Sequence, residues 1–271
     1  MQVPGSGDKS PIFLPGRGPA ALCLHGFSGT PYETAPLAHF LAAAGFFVSS
    51  PLLAGHGETA VVLGKTCWQD WLDSAEAAFN RLRAESGQPA VAIAGFSMGG
   101  LLALRLARRH PRIVSALALM APPLRLPRRD EILMRVWRRL PSFVRRSRFA
   151  VVKKRGGSDV SDSANRAENP ALAEMPLAGV VELMELARAV RDDLGSIITP
   201  TLLVNGERDR TVPPESSLDL AGRLASSVVE RLQLPRSGHL VGVDIERARF
   251  CATVKDFFTR QIQAGTNERI P

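Results

Sequence analysis

The stretch AVAIAGFSMGG, Ala90 to Gly100, decides how this chain folds. Ala90–Phe96 is apolar without alternation, as expected of a strand buried on both faces of a parallel sheet. Met98 to His110 follows with helical spacing and stops before Pro111. Between strand and helix lies Gly95-Phe96-Ser97-Met98-Gly99, a G-x-S-x-G pattern at a sharp turn. A residue on such a turn takes a strained backbone conformation, and side chains two positions to either side would strike strand and helix. Glycine at 95 and 99 removes that collision. The turn lifts the Ser97 hydroxyl to the carboxyl edge of the sheet, where open α/β sheets bind ligands. It also aims the next backbone N–H, that of Met98, at a site where an oxyanion could form.

Outward from this unit, short apolar runs alternate with amphipathic segments, the pattern of parallel strands joined by crossover helices. Ala20–Leu24 reads as a buried strand ending at His25-Gly26, Glu33–Ala44 as a helix stopped by Gly45, and Phe46–Ser50 as the next strand. An amphipathic helix is expected from about Cys67 to Glu85, with Trp71, Ala75, Ala78, Phe79 and Leu82 on one stripe. Ile113–Met120, Thr201–Asn205 and Val228–Leu234 supply further strands, and a helix from about Asp244 to Ile262 closes the fold. The rhythm breaks between Pro122-Pro123 and Pro200, where no strand-like run occurs. Helical pieces are expected there at Glu131–Leu140, Phe143–Val152 and Leu177–Leu194, with Gly156–Asn165 as a flexible loop. The expected organisation is a core of residues 1–122 and 200–271, with residues 123–199 inserted between two strands as a helical lid.

Composition narrows the classes. The 271 residues are 45% hydrophobic and 22% charged, ordinary globular material long enough for one elaborate domain. No low-complexity tract or solenoid repeat appears. The longest nearly apolar stretch, Ala35–Val48, contains His39 and falls short of the roughly 18 residues of a spanning helix. Residues 1–20 show no basic segment followed by an apolar one, so no secretory leader is expected. Cys23, Cys67 and Cys251 are few and scattered, which suits reduced thiols in the cytoplasm, and no Cys/His group has zinc spacing. Cys23, inside a strand, reads as a small core residue.

A serine hydroxyl needs a base, and the base an orienting carboxylate. Of the five histidines, His39 and His110 fall in predicted helices. His25 and His56 follow strand ends beside glycines and read as loop braces. His239, in a loop just after the last strand, can reach the sheet edge. Asp209, immediately beyond Thr201–Asn205, is the carboxylate of choice over Glu207, which lies nearer the strand end; a plain turn role before Val212-Pro213-Pro214 is its alternative. The order Ser97, Asp209, His239 fits a nucleophile turn followed by its partners. A second oxyanion donor is expected from His25-Gly26-Phe27-Ser28-Gly29, at the N–H of Phe27.

Together these segments resemble the α/β-hydrolases, and within them the bacterial carboxylesterases and monoacylglycerol lipases with a small helical lid. HGFSGTPYE (25–33), GHG (55–57), CWQDWLDS (67–74), GFSMGG (95–100), GERDRTVPP (206–214) and SGHLVGVD (237–244) carry the resemblance, in register over about residues 20–260. It implies a mostly parallel sheet flanked by helices, Ser97 as nucleophile, Asp209 and His239 as its partners, and Phe27 and Met98 as oxyanion donors. The implied substrates are carboxylic esters of short to medium acyl chain, or monoacylglycerols, with no cofactor and no metal. Acyl transfer, or hydrolysis of a thioester, amide or carbon–carbon bond, is the alternative on the same triad. A non-catalytic binding protein on this scaffold is the remote one, since all three members are present. His239 and Asp244 also form H-x4-D, a pattern of glycerolipid acyltransferases, but Asp244 reads more simply as an acidic residue opening the final helix.

The formal charge of +8 is unevenly placed. Residues 123–157 hold ten Arg and two Lys against Asp130 and Glu131, which leaves 22 basic and 24 acidic residues in the other 236. Within the basic tract, Ile132, Leu133, Val136, Trp137 and Leu140 form an apolar stripe. Three readings are open: a solvated lid whose apolar side covers the site, a peripheral membrane or lipid contact, or steering of an acidic substrate. Nucleic-acid binding is not expected, because no recognition module accompanies the charge.

Overall fold

A computed structural model describes residues 7–124, 139, 141, 150–153, 158–213 and 215–267. One sheet contains β1 (Ile12–Leu14), β2 (Ala20–Leu24), β3 (Phe47–Ser50), β4 (Val91–Phe96), β5 (Val114–Met120), β8 (Thr201–Gly206) and β9 (Val229–Leu234). Its strand order is β1-β3-β2-β4-β5-β8-β9. All pairs are parallel except β1 with β3. β1 was not expected from sequence: three residues between Pro11 and Pro15 carry little periodicity, and prolines suit only an edge strand.

The two faces of the sheet differ in bulk. Leu22, Leu24, Ile93, Leu117, Leu119 and Leu203 face α3 (Trp68–Ser86) and α4 (Met98–Arg109). Ala21, Cys23, Ala92, Ala94, Ala116 and Ala118 face α1 (Ala35–Ala43) and the last helix, α8 (Arg247–Asn267). Small strand residues let α8 approach closely enough to bury Phe250, Phe257 and Phe258 completely, each worth about 1.5–3 kcal/mol. Cys23 and Cys251 lie in this layer, and burial pushes both thiols up to about 12. The chain therefore makes three layers, helix, sheet and helix.

The inserted region departs from expectation in three places. β5 and β8 are parallel neighbours, so the chain between them needs a crossover. α6 (Leu177–Asp193) supplies it, with Leu183, Leu186, Ala187 and Val190 in the same core cluster as α3 and α4. Residues 177–193, expected within the lid, are thus a layer of the core. Next, β6 (Val151–Lys153) pairs antiparallel with β7 (Glu174–Pro176), so Val151 and Val152, the end of the predicted helix Phe143–Val152, are strand, while 143–149 lie outside the described residues. Three-residue strands offer too few alternations to be read from sequence. Finally, the part of Gly156–Asn165 that is described is a tied segment. It runs into α5 (Ser163–Glu168), whose first N–H groups are capped by Asp162. The predicted helix Glu131–Leu140 and almost all of the basic tract lie outside the described residues. α2 (Ala60–Leu63) and α7 (Glu215–Arg223) are two further helices among the described residues. No helix among the described residues is long and apolar enough to cross a membrane.

Candidate active site

Four loops meet at the carboxyl edge of the sheet, following β2, β4, β8 and β9. The turn after β4 carries Ser97 at φ +50° and ψ −114°, a region that non-glycine residues avoid. A Cβ at Gly95 would lie 2.3 Å from the Gly99 carbonyl oxygen, and one at Gly99 would lie 2.3 Å from that of Leu24. Both glycines are therefore required for strand, turn and helix to close on one another. The Ser97 N–H donates to Met120 O at 2.8 Å. Met98 is the first residue of α4, so its N–H stands outside the helical ladder, at the positive end of the helix.

Beside this turn lies the loop after β2. The register pairs Leu24 with Gly95 across the sheet, which brings Phe27 and Met98 onto adjacent strand ends. The loop is held from below: Glu33, buried in the 3-10 turn Pro31–Glu33 that precedes α1, accepts the Gly26 N–H at 2.8 Å. The Phe27 ring packs near His56 and Trp71, with centroids at 6.1 and 5.5 Å. Glu33 was not singled out from sequence, although it ends the HGFSGTPYE segment.

Asp209 and His239 are brought together. His239 Nδ1 lies 2.8 Å from Asp209 Oδ2, with both side chains nearly buried. A carboxylate can only accept, so Nδ1 carries the proton and Nε2 is the basic nitrogen. Asp209 Oδ1 accepts from the N–H groups of Thr211 and Val212 at 2.8 and 2.9 Å. The carboxylate is thus fixed by its own turn before it meets the imidazole. The His239 ring packs on Phe96, centroids 4.9 Å apart, which sets it against the residue preceding Ser97. Glu207, the rival carboxylate, is exposed, and its N–H continues the pairing to Leu234 O.

The remaining histidines stand outside this pair. His25 Nε2 accepts the Leu53 N–H at 3.1 Å, so Nδ1 bears the proton and donates to Gly26 O at 2.9 Å. Burial, and next the neighbouring His56, holds its pKa well below 6.5. His56 Nδ1 contacts Ala54 O at 2.9 Å. His110 pairs with Glu76 and stacks on Phe79, and His39 is exposed. Among the described residues, no group of three or more His, Cys, Asp or Glu is placed to hold a metal ion.

Asp244 does not open the last helix as expected. α8 begins at Arg247, and the Asp244 carboxylate is fully buried. It accepts backbone N–H groups from Ser161, Asp162, Gly238 and Ile245 at 2.7–3.1 Å. The reason is local: the 3-10 turn Val241–Val243 swings Asp244 back under the His239 loop before the helix starts. Because His239 Nδ1 is engaged with Asp209, the H-x4-D spacing does not describe a second catalytic pair.

A parallel sheet with a strained serine turn on its central strand, opposite a carboxylate–histidine pair, defines an α/β-hydrolase. Residues 19–246 match the profile of the family described as serine aminopeptidase, S33, and the chain belongs to that family. It is 27% identical over 268 residues to a thermostable monoacylglycerol lipase of Bacillus sp. (strain H-257), covering 96% of this chain and 98% of that one. It is 24% identical over 250 residues to a carboxylesterase of Bacillus subtilis (strain 168), covering 92% and 96%. A solved structure from the metagenome-derived lipolytic enzymes LipS and LipT superimposes with a TM-score of 0.84 at 24% identity, over 96% of this chain and all of that chain. The protein is an α/β-hydrolase whose relatives include an esterase and a monoacylglycerol lipase.

Proposed function

We propose that the protein is a serine carboxylic-ester hydrolase that works through an acyl-enzyme on esters of short to medium acyl chain. The observation that carries this reading is the Asp209–His239 pair packed on Phe96, beside the strained Ser97. Ser97 Oγ attacks the ester carbonyl while His239 Nε2 takes its proton. Asp209 holds the imidazole in the tautomer that leaves Nε2 basic and stabilises the imidazolium. The N–H groups of Phe27 and Met98 bind the oxyanion, each worth roughly 3–4 kcal/mol in the transition state. His239 then protonates the leaving alcohol and activates the water that releases the acid. Replacing Ser97 by Ala is expected to abolish p-nitrophenyl ester hydrolysis with the circular dichroism spectrum unchanged. Retained turnover by the purified variant would falsify the reading.

A second reading, monoacylglycerol hydrolysis, is favoured by the relative matched over almost its whole length and by the basic tract with its apolar stripe. A chain-length series of p-nitrophenyl esters, run beside monoacylglycerols and diacylglycerols, separates the two. Preference for monoacylglycerols supports the second, and a steep optimum at short simple esters supports the first.

A further inference from the structure

We propose that Asp159, on the return leg of the insertion, is a positioning residue for the Asp209–His239 pair; this rests on the triad chemistry proposed above. Its Oδ2 accepts the Arg210 N–H at 2.8 Å and the Thr211 hydroxyl at 3.2 Å. Its main-chain carbonyl accepts the Leu240 N–H at 3.2 Å. A Cβ on Gly238 would lie 2.8 Å from that carbonyl oxygen and 3.0 Å from Asp159 Oδ1. One residue thus touches the positions that follow Asp209 and those on both sides of His239.

The contacts bear on orientation. Thr211 N–H is one of the two donors that fix Asp209 Oδ1, so the turn held by Asp159 is the turn that aims the carboxylate. Two residues further on, Ser161 and Asp162 are pinned by Asp244, whose carboxylate also holds Gly238. The sheet does not need this strap. β8 and β9 pair along their whole length without it, and the segment arrives from the far side of β5 in sequence. What it joins are the two loops that carry the acid–base pair. It makes the alignment of that pair depend on where the insertion sits.

Both side-chain bonds end on a single oxygen of a partly exposed carboxylate, and this gives the test its form. A carboxamide oxygen can replace that acceptor, whereas a methyl group cannot. Asp159→Ala is expected to lower kcat for p-nitrophenyl butyrate about ten- to hundredfold, the scale of a small misplacement of a catalytic group, with KM changed less than about threefold. The low-field proton resonance of His239 Nδ1–H should broaden or vanish in the same variant. Asp159→Asn should restore most of both, and Thr211→Val, which removes one of the two bonds, should fall between. A wild-type kcat and an unmoved resonance in Asp159→Ala would overturn the proposal. So would an Asn variant as impaired as the Ala variant, because a rescued acceptor would then be without effect. If Asp159→Ala does not fold, Thr211→Val decides by the same two readouts. The resonance needs no substrate, so an enzyme inactive on every ester tested would sink the ester reading while leaving Asp159 to be judged by the spectrum.

Discussion

His25 and His239 both stand just past the carboxyl end of a parallel strand, and both are almost wholly buried (0% and 5% exposed). Burial therefore does not separate them; their partners do. Both nitrogens of His25 are committed to main chain, one to Leu53 and one to Gly26, and its pKa is driven well below 6.5. Among the described residues, His239 uses Nδ1 on a carboxylate that is itself fixed by two N–H groups. Main-chain partners lock a neutral ring as a strut. A carboxylate partner prepares a ring that can hold a proton for part of a catalytic cycle.

This contrast can be broken at several points. The largest effect is expected from His239→Ala, a loss of about 10⁵-fold or more in ester turnover, measured with protein of unchanged thermal midpoint. Asp209→Asn, which spoils the tautomer while keeping the shape, should cost about 10⁴-fold; a loss below tenfold would mean that Asp209 is the turn residue of the plainer reading. His25→Ala should instead act on stability. It leaves the Leu53 N–H buried without an acceptor, at a cost of about 1–3 kcal/mol in denaturant titration, while turnover falls far less than in the other two variants.

The smallest effect is the acid slope. Because the folded-state pKa of His25 lies below 6.5, the unfolded chain binds a proton that the folded chain excludes. The contribution to stability is complete above about pH 6.5 and is lost as the pH falls below it, by up to about 1.4 kcal/mol per pH unit. Comparing unfolding free energies at pH 7 and pH 5.5 for wild type and His25→Gln should show a shallower slope in the variant. Equal slopes would remove His25 as their source.

Much of this was legible in the sequence because the relevant signals are local. The buried strands are continuous apolar runs, and β4 with its following turn is specified by eleven consecutive residues. That Asp209 and His239 would lie at the same sheet edge could be read because each follows a readable strand within a few residues. What escaped is long-range. Glu33, Asp159 and Asp244 act on main-chain groups of other loops, 7 to 83 residues away in the case of the bonds to Gly26 and Ser161, and no periodicity encodes such a bond. β1, β6 and β7 escaped for the opposite reason: three residues each, they are strands only because a neighbour pairs with them. Helix α6 was readable as a helix, but its membership of the core depends on β5 and β8 being adjacent, which the chain order does not state.

Both ends of residues 125–149 are moored to the body. At one end Leu124 is buried, its N–H donates to Ser216 Oγ at 2.9 Å, and its carbonyl takes the Arg191 guanidinium. At the other, Ala150 O accepts the Leu177 N–H at 2.9 Å and the β6–β7 ribbon begins. Closing a loop across fixed ends costs little more when the loop grows. Changes of length between those moorings, where most of the chain's excess positive charge collects, should therefore leave the pairing of the sheet in place, which the thermal midpoint of a variant exchanged across residues 125–149 would check.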